Sequence, residues 1–433
     1  MEMEDNMRKA VCLLAAALSA VFTVGCGEGR NQEQNISFQQ DASSAEEGAA
    51  AVADFGVQLL RYRIRNAVPD FPPYASMPQE VNQKIVSGEN VLVSPLSVIC
   101  ALTMTANGAK GDTLAQMEDS FGMAVPELSG WLSEYCEVLP SGDSCRFNMA
   151  NAIWLRNQES LSIEKEFLQK NEAFFGAGIY KAPFDSSTLK EINGWVKENT
   201  DGMIEEILDE IPEDAVLYLV NALAFDGEWE EAYDDYQVRE AEFVTEDGTV
   251  QKADFMYSME SLYLEGEHGV GFLKYYMDRK YAFAALLPEE GMTVEDLAEA
   301  LKGEELRGML KNPIETDVET AIPKFVSEYS AEMNDALRDM GMSDAFDPYS
   351  ADFSDMGHSG NGNLYIGRVL HKTYMAVDER GTKAGAATAV EMNEGGAIEL
   401  EKVKTVYLDR PFLYMIVDCE LGVPVFMGVC AHF

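Results

Sequence analysis

Apolar positions along this chain follow a helical period at first and a strand period later. Val52, Phe55 and Leu59 recur on one helical face. Ser94-Pro95 then supplies an N-cap and a first-turn proline for a run over 96–107, apolar nearly all round, that stops at Gly108 and predicts a buried helix. Further helical stretches are read over 114–121, 164–174, 189–199, 294–301 and 331–340. Strand-like runs follow over 148–155, 216–225, 281–287, 364–378, 412–418 and 425–430. Helices first and long strands later imply an α+β domain instead of alternating βαβ units. No internal repeat interrupts it, so residues 51–433 read as one domain.

Two of the strand runs carry a polar residue where an apolar one is expected. Asn221 interrupts a continuous apolar run over 216–225, the pattern of a strand covered on both faces. Period-two counting places His371 on one face with Val369, Thr373, Met375 and Val377. A buried amide and a buried imidazole each need hydrogen-bond partners, since an unsatisfied group costs about 1–3 kcal/mol. A structural pair is the simpler reading, because His371 has no neighbouring Asp or Ser motif to complete a triad. No GxSxG nucleophile elbow occurs either, so a surface serine hydrolase is disfavoured.

Residues 1–26 read as an export signal. Arg8 and Lys9 precede an apolar run over 10–24 that is short for a membrane span and ends in Thr23-Val24-Gly25-Cys26. The site resembles the lipobox of bacterial lipoproteins, with Cys26 as the lipidated first residue of the mature chain and Thr23 where Leu is usual. Cleavage by an ordinary signal peptidase, leaving Cys26 free, is the alternative, and in either case the expected location is extracytoplasmic. Residues 27–50, rich in Gln, Asn, Ser, Glu and Ala, read as a flexible tether.

The formal charge of −43 repels phosphate backbones and anionic headgroups, which excludes nucleic acid as a partner and leaves lipid at Cys26 as the one route to a membrane. Four histidines without metal-ligand spacing give no metal site, and no cofactor is expected. Beyond the signal, Cys100, Cys136, Cys145, Cys419 and Cys430 are odd in number and imply no disulfide framework. Cys136 and Cys145 bracket a turn and are candidates to pair.

The segment after Asp378-Glu379 has side chains too small for a core of its own. It runs Arg380-Gly381-Thr382-Lys383-Ala384-Gly385-Ala386-Ala387-Thr388-Ala389-Val390. Composition alone reads it as an exposed loop. Period two gives another reading, in which Thr382, Ala384, Ala386, Thr388 and Val390 share one face of a latent strand slim enough to pass between two others.

From about Asp54 to Phe433 the chain resembles the serpins. The resemblance rests on an ordered series of motifs. Asn90 to Ser97 is followed by Gly108-Ala109-Lys110-Gly111, and Ile192 to Val196 by Thr200 to Ile204. Then come Leu219 to Ala222 with Phe225 to Trp229, Ile322-Pro323-Lys324-Phe325, His371 to Thr382, Arg410-Pro411-Phe412 and Phe426-Met427-Gly428. The resemblance implies three β-sheets, eight or nine helices and an exposed reactive loop. It places Asn221 and His371 in a polar cluster with Ser94 and Ser97 beneath a sheet that opens, and Trp229 near the top of the opening. It makes Glu379, Gly381, Thr382, Ala384, Gly385, Ala386, Ala387 and Thr388 the loop hinge, whose small residues fit an inhibitory member. Lys383 stands there in place of the usual acidic residue.

The implied activity is suicide inhibition of an extracellular serine protease by a monomer, through a covalent acyl complex. The other reading is a non-inhibitory binding protein or chaperone. A family interval of about fourteen residues past Gly381 lands the reactive bond at Gly395-Gly396, whereas counting back from Pro411 lands near Leu400. Met392, Leu400 and Lys402 suit elastase-like, chymotrypsin-like and trypsin-like pockets respectively. The window Met392 to Gly396 and an elastase- or subtilisin-like target are favoured.

Overall fold

A computed structural model describes residues 42–66, 89–213, 215–382 and 403–433. Its described residues form nine α-helices and three sheets of nine, six and two strands, an α+β architecture. Most helices lie early and most strands late, as the periods imply.

The helix Pro95–Ala106 lies at the centre. Ser94 adopts an extended conformation and its Oγ accepts the Ser97 N–H at 3.2 Å, while Pro95 fills the first turn, where no intrahelical N–H bond is lost. Nearly every residue of this helix is buried, because the six-stranded sheet covers one side and the nine-stranded sheet meets it from another. The nine-stranded sheet contains Tyr281–Pro288, Phe412–Asp418 and Val423–Cys430, each buried along its whole length. Their continuous apolar sequences follow from cover on both faces.

The six-stranded sheet runs in the order Phe325–Glu332, Leu370–Val377, Gly381–Thr382, Leu217–Glu228, Cys145–Arg156, Gly178–Ala182. Leu370–Val377 alternates in burial with His371, Thr373, Met375 and Val377 inward, the face that period two assigns. The strand starts at Leu370, later than the run over 364–378 suggests. The expected helix over 331–340 is also shorter, Asn334–Asp339, because Ala331 and Glu332 pair with His371 and Leu370 as strand.

Two expectations are corrected. The stretch 27–50 is not tether throughout, since a helix runs Ala42–Arg65. Its small residues, which look too slight for a core, permit close approach. A Cβ at Gly48 would lie 2.3 Å from the Trp131 ring, and the Trp131 indole N–H donates to the Ala45 carbonyl at 3.2 Å. Arg307 adds a 2.8 Å ion pair to Glu46. Cys136 and Cys145 are not joined, and both thiols are free. Cys136 lies in the last turn of the helix Val125–Glu137 beside the buried Cys100 thiol, whereas Cys145 opens a strand and lies near Asp278. Cys26, with the rest of residues 1–41, lies outside the described residues.

Candidate functional site

Two neighbouring strands of the six-stranded sheet share no ladder with one another. Leu217–Glu228 pairs on its outer side with Cys145–Arg156, and Leu370–Val377 pairs on its outer side with Phe325–Glu332, both antiparallel. Between them stands the two-residue strand Gly381–Thr382, antiparallel to each: Thr382 lies opposite Val377 on one side and Gly227 on the other, and Gly381 lies opposite Glu228. The two flanking strands are therefore parallel to each other. Further along them, residues 216–221 and 366–371 line a cavity of about 440 Å³ whose wall includes Ser97, Ala101 and Thr105 of the central helix.

The turn that delivers Gly381 is held by main-chain and side-chain bonds. Asp378 N–H donates to the Gly381 carbonyl at 3.0 Å, and Arg380 N–H donates to Asp378 Oδ1 at 2.8 Å. Trp229 N–H donates to the Arg380 carbonyl and Tyr233 N–H to the Glu379 carbonyl, each at 2.8 Å. The Trp229 indole N–H donates to the Asp378 carbonyl at 2.8 Å, so Trp229 sits at the closed end of the gap. Glu379 forms a 2.7 Å ion pair with Lys324, and that partner holds the Glu379 carboxyl below its ordinary pKa.

Glycine is required where the strands close. A Cβ on Gly381 would stand 1.9 Å from the Gly227 carbonyl oxygen, a backbone atom that has no room to yield. Thr382 is buried, its hydroxyl 2.6 Å from that of Tyr276.

Below the open end, Ser94, Ser97, Asn221 and His371 form one connected cluster. Ser94 N–H donates to His371 Nε2 at 3.0 Å, and Ser94 Oγ donates to the Val425 carbonyl at 2.8 Å. Ser97 Oγ donates to Asn221 Oδ1, and Asn221 Nδ2 donates to Asn151 Oδ1 at 2.8 Å. Thr373, one inward position along from His371, bonds the Leu92 carbonyl at 2.8 Å. Because Nε2 accepts, the neutral ring carries its proton on Nδ1. Burial, reinforced by the positive charge of Arg63, drops the His371 pKa to about 3. An imidazole held neutral in this way acts as a hydrogen-bond post between the strand and the helix N-terminus.

Asn151, Tyr276, Tyr233 and Lys324 belong to this site as well. Sequence reasoning missed Asn151, which only the strand register brings opposite Asn221, and Tyr276, whose stretch carries no motif. Ala384, Gly385, Ala386, Ala387 and Thr388 lie outside the described residues, as do Met392, Gly395, Gly396, Leu400 and Lys402. Among the described residues no cluster of three or more His, Cys, Asp or Glu side chains is arranged to hold a metal ion.

A sheet interrupted in this way, above a polar cluster and beside a hinge, defines a class of protein. The family model of serpins, serine protease inhibitors, matches residues 75–432, and the chain belongs to that family. It is 31% identical over 349 residues to an uncharacterized serpin-like protein of Thermococcus kodakarensis, covering 79% of this chain and 80% of that one. It is 32% identical over 350 residues to Serpin B8 of Bos taurus, covering 78% and 92%. Among solved structures, the thermophilic serpin tengpin in its native state superposes with a TM-score of 0.78 at 40% identity, covering 89% of this chain and 94% of that one. Tengpin in its latent state gives 0.74 at 39% identity, covering 89% and 97%. Most serpins are protease inhibitors, and serpins are generally not enzymes.

Proposed function

We propose that this chain is a suicide-substrate inhibitor of serine proteases, with an elastase- or subtilisin-like enzyme as the favoured target. The observation that carries the reading is the junction at Gly381–Thr382, through which alone, among the described residues, the two parallel strands Leu217–Glu228 and Leu370–Val377 are paired. A chain continuing past Thr382 in the same direction gains antiparallel ladders on both sides, which are somewhat more stable per residue than parallel ones. Each added hydrogen bond contributes about 0.5–1.5 kcal/mol net.

The register at Thr382 can be extended residue by residue. Opposite Met375 and Phe225 it brings Ala384, and opposite Thr373 and Leu223 it brings Ala386. Thr388 then falls between His371 and Asn221, where its hydroxyl can join the polar cluster. The inward positions of the inserted strand are thus small beside Phe225, Met375 and Leu223, and polar beside His371 and Asn221.

In the proposed reaction the serine Oγ of the protease attacks a loop carbonyl. An ester to the protease forms, and the peptide bond breaks to release a new amino terminus on the C-terminal fragment. The freed loop then inserts, carrying the esterified enzyme with it before water can attack the ester and release the carboxylate. No residue of this chain is catalytic in that sequence. Met392 to Gly396 is the favoured window for the cut bond. Incubation with elastase and subtilisin tests the reading: it expects a covalent complex that survives SDS, whereas complete cleavage without such a band would favour a non-inhibitory binding role. We propose also that the chain works outside the cytoplasm, held by lipid at Cys26. Labelling with radioactive palmitate that persists in a Cys26→Ala variant would contradict this.

A further inference from the structure

A hydroxyl pair joins the two large sheets at the point where the hinge enters. Tyr276 follows the strand Gly269–Tyr275 of the nine-stranded sheet, and its buried OH stands 2.6 Å from Thr382 Oγ1. The Tyr276 ring stacks on Trp229, with centroids 4.7 Å apart and planes 9° from parallel. Trp229 in turn holds the Asp378 carbonyl through its indole N–H. One aromatic pair therefore grips both ends of the hinge turn, Asp378 through nitrogen and Thr382 through oxygen.

The surroundings are shaped to admit that pair. A Cβ on Gly227 would lie 2.9 Å from Tyr276 Cδ1 and 2.5 Å from Phe225 Cζ, so the ring occupies space that any other residue would fill. Behind the aromatic pair, the buried Lys274 ammonium lies 5.6 Å from the Trp229 ring centroid and 4.5 Å from that of Tyr233, and it is neutralised by Glu260 at 2.9 Å. Such a backing fixes the indole by cation–π attraction. A phenol buried at this depth is destabilising if its hydroxyl lacks a partner, and Thr382 is the partner.

On the reading of this chain as an inserting inhibitor, we propose that Tyr276 is a positioning residue that seats Thr382 in the sheet of the uncut protein, so that insertion extends a rung already formed. Ordering the first residue of a new strand costs backbone entropy before a ladder repays it. A seated Thr382 meets that cost before cleavage. Insertion then starts sooner, and fewer acyl-enzyme molecules are lost to hydrolysis.

Hydrogen exchange on the intact full-length chain tests the seating without any protease. Peptides covering residues 378–382 are compared in the wild type, Tyr276→Phe, Thr382→Val and the double variant. The expected result is exchange at least tenfold faster in either single variant, with the double no faster than the singles. Equal exchange in the wild type and Tyr276→Phe overturns the proposal, as does a lowered melting temperature without any local change at the hinge. With subtilisin as the probe, Tyr276→Phe should at least double the number of inhibitor molecules consumed per covalent complex, at an unchanged association rate. An unchanged ratio despite lost protection overturns the link to partitioning. A wild type that forms no complex with subtilisin, elastase or trypsin fails the inhibitor reading and the partitioning claim together, while the exchange result still decides the seating.

Discussion

Protonation of His371 would remove the acceptor used by Ser94 N–H and place a second positive charge in the field of Arg63. Its folded pKa of about 3 lies below the ordinary 6.5, so the unfolded chain binds the proton first as pH falls. The stability contributed by the neutral ring is thus complete above pH 6.5 and is lost progressively from there down towards pH 3. Chemical unfolding between pH 6.5 and 4.5 should show stability falling by about 1.4 kcal/mol per pH unit. His371→Gln, which keeps an acceptor without a titratable proton, should flatten that slope; an unchanged slope would assign it to other groups. Asn221→Ala leaves the Ser97 hydroxyl and Asn151 without their partner. It should cost about 1–3 kcal/mol in urea unfolding, and a loss below a few tenths would mean that the cluster rearranges freely.

Among the elements, the hinge strand is where substitution should change outcome more than stability. Thr382→Arg puts a guanidinium into a position closed by Val377, Gly227 and Tyr276, and a buried unpaired charge is costly. That variant should be cleaved as a substrate, with the covalent band lost while cleavage persists; an undiminished band would contradict the hinge assignment. The hinge was legible only through the family resemblance, because a run of small residues read by composition alone is an exposed loop. His371 and Asn221 were legible as polar breaks in apolar strands. The helix Gly303–Lys311 and the long strand Val250–Glu265 were not, because both lie half in solvent and their polar positions hide the period. The Ala42–Ala50 part of the first helix was hidden for another reason. Its packing depends on Gly48 and Ala49 being small against Trp131, and composition registers small residues as an absence of core. Tyr276 shows the same limit from the opposite side, since only the fold brings it to Thr382.

For the whole molecule, the charge of −43 should act on encounter and not on the fold. Association with a cationic protease is expected to slow as salt rises from 50 to 500 mM, and a salt-independent rate would rule out steering. The deeper claim concerns which arrangement of the chain is lowest in free energy. Among the described residues the two parallel central strands are joined only through Gly381–Thr382, and the proposed mechanism has a cut loop complete the sheet. Loop cleavage by a probe protease, followed by thermal melting of the intact and cut forms side by side, measures that difference directly. The account predicts a cut form that melts at least 20 °C higher; a cut form that melts at or below the intact temperature would contradict insertion and the inhibitor mechanism built on it.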